Sequence, residues 1–203
     1  MKHYQRLEGM VAATFTPMDA RGDINLSVID KYADLMAESG MAGVFVCGTT
    51  GESHSLTTGE RKAILAQWIK SARKRFKVIA HVGSNCQLEA MELARHAQEV
   101  EADAFAAMAP CFFKPSSVKD LVDFFTPIAQ SAPDLPFYYY NMPSMTGVSL
   151  SVPSFLIEGK KTMPNLVGTK FTHNNLMEMG ECLELNNGEF EVPVSYTHLT
   201  LPT

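Results

Sequence analysis

The sequence predicts an α/β fold: a (β/α)8 TIM barrel running through about six βα units and the start of strand seven. Three observations carry that prediction. Apolar runs alternate with amphipathic stretches at a spacing of roughly 30 residues, the size of a βαβ repeat. The runs are short and apolar throughout, as parallel strands covered on both faces must be. The first βα turn, Thr16-Pro17-Met18-Asp19, carries neither a GxGxxG fingerprint nor a P-loop. That weakens the rival architecture, a doubly wound nucleotide-binding sheet.

Taken in order, Gly9 to Phe15 is an apolar run stopped by Thr16-Pro17, read as the first buried strand. Asn25 is placed to cap a helix with Ile29, Ala33 and Met36 on its apolar face, and Gly40 ends it. Gly43 to Cys47 is the second strand. Thr57-Thr58-Gly59-Glu60 reads as a capping box opening a helix with Ile64, Leu65, Trp68 and Ile69 on one face. Val78 to Val82 is the third strand, and a helix runs from Gln87 to about Glu99. Ala104 to Ala109 is the fourth strand, ended by Pro110. Ser116-Ser117 opens a helix with Leu121, Phe124, Phe125 and Ile128 turned inward. Phe137 to Tyr140 is the fifth strand. Ser151-Val152-Pro153 starts the next helix, with proline in its tolerated first turn. Leu166 and Val167 lead into the sixth strand, which ends at Lys170; a loop from Thr172 opens a helix running from about Asn174 through Leu183. Phe190-Glu191-Val192 looks like the start of a seventh.

The last ten residues, Val194 to Thr203, break the pattern: no charge, no helical face, no turn chemistry. They read as the in-frame translation of a sequencing adapter. Residues 1–193 are therefore taken as an incomplete barrel domain and 194–203 as a non-native tail.

The 203 residues suffice for one sizeable core, and 46% hydrophobic with 19% charged residues describe a soluble globular chain. A net charge of −5 without a basic run argues against nucleic acid and anionic membranes. The four cysteines have no CxxC or Cys/His ligand spacing and read as buried thiols. No apolar h-region follows the start, and no run approaches 18 apolar residues. A reduced, cytoplasmic setting is expected.

Three groups fall at strand ends, where a barrel keeps its active site. Gly48-Thr49-Thr50-Gly51-Glu52 follows the second strand. Its glycines and hydroxyls suit a small anion such as a carboxylate, or make a plain glycine turn. Tyr140-Asn141-Met142-Pro143 follows the fifth; a phenol there can pass a proton or serve as a core aromatic. Tyr138 shares the parity of Tyr140, and Tyr139 points the other way, toward the helices. Lys170 ends the sixth strand, with Thr172 beyond it. An amine there either snorkels to water or, if buried, loses its proton and becomes a nucleophile for carbonyl carbon. Lys114, in a loop beside Pro115, is a rival amine but reads as solvated. His81 reads as a core histidine. Anion cradle, phenol and amine on one rim suggest a 2-oxo acid and class I aldolase chemistry, which needs no metal and no cofactor.

These three motifs, in this order, resemble those of the dihydrodipicolinate synthase/N-acetylneuraminate lyase superfamily, from Leu7-Glu8-Gly9 to about Val192. The resemblance implies that Lys170 forms the Schiff base and that Tyr140 transfers the proton. It implies that Thr49 and Thr50 bind the substrate carboxylate and that Thr172 contacts the sugar chain. It further implies a homotetramer in the full-length protein. Two positions depart from the synthase branch. Met145 stands where that branch carries an arginine for a second carboxylate, and Phe112 stands in place of its relay tyrosine. Both favour the lyase branch, and with it reversible cleavage of N-acetylneuraminate to N-acetylmannosamine and pyruvate. The Gly-x-Asp-Glu segment that this branch carries after strand seven is missing here. Another 2-oxo acid aldolase or synthase, or a catalytically silent binding homologue, are the alternatives.

Overall fold

The computed structural model describes residues 6–194. Six parallel strands, β1 (Val11–Ala13), β2 (Gly43–Val46), β3 (Lys77–His81), β4 (Ala104–Met108), β5 (Phe137–Asn141) and β6 (Leu166–Phe171), pair in sequence order in one sheet. Between and after them run α1 (Ile29–Glu38), α2 (Thr58–Ala72), α3 (Gln87–Glu99), α4 (Val118–Gln130), the single-turn α5 (Pro143–Thr146), α6 (Val152–Lys160) and α7 (Leu176–Glu184). Sequential parallel pairing with a helix between strands is the barrel's repeating unit.

The sheet curls strongly. The carboxylate of Glu191, which follows β6, accepts hydrogen bonds from Leu7 N–H before β1 (3.1 Å) and from the Tyr138 hydroxyl on β5 (2.8 Å). A flat sheet could not bring its first and last members onto one carboxylate. The expected start of strand seven is present as two parallel bridges, Gly168 with Glu191 and Phe171 with Val194. Gly168 is required there, since a Cβ would stand 1.9 Å from Glu191 O. Val194 thus lies on the sheet, and residues 195–203, the rest of the expected tail, are outside the described residues.

Strand parity divides the core into two layers. Val44, Val46, Val78, Ala80, Phe105, Ala107, Phe137 and Tyr139 pack with Trp68, Leu93, Phe125 and Phe155 of the helices. Phe45, Ile79, Ala104, Ala106, Met108, Tyr138 and Tyr140 fill the barrel interior. The predicted split between Tyr139 and its neighbours is therefore what forms.

Local chemistry sets most boundaries. Thr57 and Glu60 make the reciprocal capping box of α2, and Ser117, Ser151 and Asn175 each cap the following helix through a side-chain oxygen. Two expectations are corrected. Asn25 caps nothing: its side chain accepts from Ser27 Oγ (2.7 Å), a 3-10 turn spans Leu26–Val28, and the α-helix starts at Ile29. The first strand is three residues long rather than seven, and Met10 and Phe15 are exposed. The helix α5, absent from the elements expected above, has its signal in Pro143 at the first turn and Gly147 at φ 65° closing it.

Candidate active site

Register puts Tyr140 opposite Lys170 across the β5–β6 pair, so both side chains enter the barrel interior at its C-terminal rim. Lys170 Nζ stands 3.8 Å from the Tyr140 ring centroid and 4.8 Å from that of Phe45. The two rings meet edge to face at 5.4 Å, so the amine sits in the corner they make. Aromatic faces favour the ammonium form by roughly 1 kcal/mol. Burial opposes this and prevails, pulling the amine from its ordinary 10.5 to about 7. Among the described residues no carboxylate pairs with Lys170.

Tyr140 Oη and Thr49 Oγ1 are 3.3 Å apart, which ties the phenol to the Gly48–Glu52 loop. Burial pushes the phenol's pKa up, and the Thr49 hydroxyl partly offsets it. The loop is closed by Glu52 N–H on Thr49 O (3.0 Å) and Ser53 N–H on Gly48 O (3.2 Å). Its glycines serve close approach: a Cβ at Gly48 would meet the Phe45 ring at 2.6 Å, and one at Gly51 would meet Thr14 O at 3.0 Å. Cys47 (φ 55°) and Glu52 (φ 54°) hold left-handed conformations on either side. Strained non-glycine residues of this kind persist where the surroundings hold them. Among the described residues, the N–H groups of Thr49, Thr50 and Gly51 meet no acceptor, so they are free to bind an anion.

The five predicted site residues line one open cavity of about 670 Å³, a size suited to a small-molecule ligand. Thr50 is half-buried at its edge. Thr172 donates its hydroxyl proton to Asn141 O (2.7 Å), which leaves its oxygen to accept from a ligand. Sequence reasoning missed Phe45, which forms the floor under the amine; its inward parity on β2, three residues before Gly48, was the available signal. It also missed His173, Asn174 and Ser149, which line the mouth. Met145 is on the cavity rim and exposed. Lys114 is exposed, outside the cavity lining, with its amine against Gly147. Phe112 and Phe113 are stacked edge to face and exposed, away from the amine. His81 lies behind Tyr140 and does not line the cavity. Among the described residues no group of three or more His, Cys, Asp or Glu is placed to hold a metal ion. No helix there is long and apolar enough to cross a membrane.

Comparison with known proteins shows what the chain is similar to. Residues 6–199 match the model of the dihydrodipicolinate synthetase family. Mouse N-acetylneuraminate lyase is 43% identical over 185 residues, which is 90% of this chain and 58% of that protein. The structure of N-acetylneuraminate lyase (sialic acid aldolase) from Aliivibrio salmonicida superposes with a TM-score of 0.91 at 41% identity, covering 94% of this chain and 63% of that one. Dihydrodipicolinate synthase from Aquifex aeolicus gives 0.85 at 31% identity, over 93% of this chain and 62% of that one. The chain thus spans under two thirds of the length of these relatives.

Proposed function

The chain belongs to the dihydrodipicolinate synthetase family, and on that premise we propose that it carries the Schiff-base centre of a carbon–carbon lyase that cleaves N-acetylneuraminate reversibly. The products are N-acetylmannosamine and pyruvate. The observation that carries the proposal is the amine of Lys170, half-buried between the Phe45 and Tyr140 rings with no carboxylate partner among the described residues. About half of it is uncharged at pH 7, against roughly 0.03% for an amine of pKa 10.5.

The uncharged amine adds to the 2-oxo carbon and water leaves, giving an imine. The Thr49–Thr50 loop holds the adjacent carboxylate with its N–H groups and hydroxyls. In the protonated imine, the electron pair of the C3–C4 bond moves toward nitrogen as the C4 hydroxyl proton is taken off. In this reading Tyr140, tied to Thr49, takes that proton and later returns it at C3. The aldehyde of N-acetylmannosamine leaves. The remaining enamine takes a proton at C3, and water returns Lys170 and pyruvate. Thr172 faces the sugar chain at the mouth. Met145 on the rim presents no cation to a second carboxylate, which favours a monocarboxylate sugar acid over the synthase substrate.

The same reading gives a cytoplasmic enzyme acting on small molecules and assembling, in its full-length form, as a homotetramer. The test is reductive trapping: incubate with pyruvate and borohydride and locate the adduct by peptide mass. Adduct on Lys170 that disappears in Lys170→Arg supports the reading. Absence of adduct from every lysine removes it.

A further inference from the structure

His81 is 3% exposed, at the end of β3, and belongs to none of the groups that meet the ligand. Its Nδ1 lies 2.8 Å from Cys47 O. A carbonyl only accepts, so Nδ1 carries the proton. Cys47 is the residue whose left-handed backbone starts the Gly48–Glu52 loop. The ring of His81 also stands edge-on to Tyr140 (centroids 5.6 Å, 89°) and against Phe45 (5.9 Å), the two rings beneath Lys170. Its own position is held from behind: Arg61 donates to His81 O (2.7 Å) and to Gly83 O (3.0 Å). Gly83 leaves the ring its room, since a Cβ there would lie 2.7 Å from Nε2. Burial first, and then the nearby Arg61 charge, hold the imidazole well below its ordinary 6.5 and therefore neutral.

One side chain thus touches both halves of the site, the turn that aims the loop and the ring that supports the phenol. Resting on the Schiff-base reading above, we propose that His81 is a positioning residue: protonated on Nδ1, it fixes the Cys47 turn under Thr49 and Thr50 and walls Tyr140 in place beside Lys170. Its two contacts act on different steps. The bond to Cys47 O sets how well the loop receives the carboxylate. The ring face sets how well Tyr140 is aligned for proton transfer.

Two variants separate them. His81→Phe keeps a ring and loses the donor. His81→Asn keeps an N–H in reach of Cys47 O and loses the ring. Two quantities are read: the pyruvate concentration that half-saturates the borohydride adduct on Lys170, and the rate at which bound pyruvate exchanges methyl protons with D2O at saturation. In His81→Phe the half-saturating concentration is expected to rise about ten-fold, the loss of one buried hydrogen bond, with exchange within about three-fold of the parent. In His81→Asn the concentration is expected within about two-fold, and exchange is expected about ten-fold slower, as for a misaligned proton-transfer group. A histidine that only props up the fold would reduce the yield of folded protein in both variants and leave both constants of the folded fraction unchanged. That result overturns the assignment, as does unchanged half-saturation in His81→Phe. A parent that traps no pyruvate on Lys170 removes the Schiff-base reading first. A parent that traps it while both variants match overturns the role of His81 alone.

Discussion

The amine of Lys170 should titrate near pH 7, and this is measurable without substrate. Moving the pH from 5.5 to 8.5 takes a group of pKa about 7 from about 3% to about 97% uncharged, a rise of roughly thirty-fold that then levels off. An amine left at 10.5 would gain about a thousand-fold over the same range and keep rising. The cause of the low value is burial, with no carboxylate beside the amine among the described residues; the faces of Tyr140 and Phe45 work in the opposite direction and are outweighed. The assay is competitive acylation with trace acetic anhydride at a series of pH values. Added Nα-acetyl-lysine serves as the reference amine, and the peptide bearing Lys170 is quantified by mass. The expected profile bends near 7 and is flat above 8.5. A log-linear climb through pH 10 would refute the argument that burial controls this amine. Linkage supplies a second check, with its sign set by the lowered value. Between about 7 and 10.5 the unfolded chain holds the proton and the folded chain does not, so this group's cost to folding is full below pH 7 and fades as the pH rises through that window. Lys170→Met should therefore stabilise the protein more at pH 6 than at pH 10, read from urea midpoints.

Other substitutions probe the site and the sheet that builds it. Tyr140→Phe keeps the ring under Lys170 and removes the hydroxyl paired with Thr49; pyruvate trapping should persist while aldol turnover falls by about 10² to 10⁴, and equal loss of both would contradict the proton-relay role. Gly168→Ala places a Cβ 1.9 Å from Glu191 O and should expel the segment pairing with β6, at a cost above about 3 kcal/mol in chemical denaturation. Asn165, 3% exposed, donates Nδ2 to the carbonyls of Ala129, Ala132 and Leu135 at 3.0 to 3.1 Å. Asn165→Ala should lower stability by about 2 to 3 kcal/mol with an unchanged urea m-value, and a change under 0.5 kcal/mol would show those carbonyls satisfied by water.

What was legible in the sequence was whatever depends on local periodicity and capping. The parity of Tyr138, Tyr139 and Tyr140 told which rings enter the barrel, and the Thr57–Glu60 box told where α2 begins. What was illegible depends on partners brought together by the sheet's curl. Arg61 has no place in the apolar face read for α2, yet it is 6% exposed, because the carbonyls of His81 and Gly83 at the end of β3 need donors at that height. The parity of Phe45 points it inward, but not under an amine 125 residues later, because only parallel pairing through β3, β4 and β5 sets how far the sheet turns between β2 and β6. In the loop after β4 composition is no guide: Phe112 and Phe113 are exposed, and Asn85 fixes the backbone there, its side-chain oxygen accepting from Cys111 N–H (2.8 Å) and Phe112 N–H (3.2 Å).

The chemistry of Lys170 follows from that same curl rather than from the lysine itself. A strand-end amine in a flat sheet has one neighbour on each side and open water above, and it stays charged. Here the curvature that brings Leu7 and Tyr138 onto one Glu191 carboxylate at the closed end also brings the β2 ring against the β5 ring at the other. On its inner side the amine meets the Tyr140 and Phe45 ring faces, and only its outer side opens on the cavity. Widening that floor without touching Lys170 should therefore return the amine toward its ordinary value. Phe45→Ala admits water beside Nζ, and the bend in the acylation profile should move up from about 7 by at least one pH unit, since hydration favours the charged form more than the lost ring face disfavours it. A bend that stays at 7 in Phe45→Ala would place the cause of the low value elsewhere than in this enclosure.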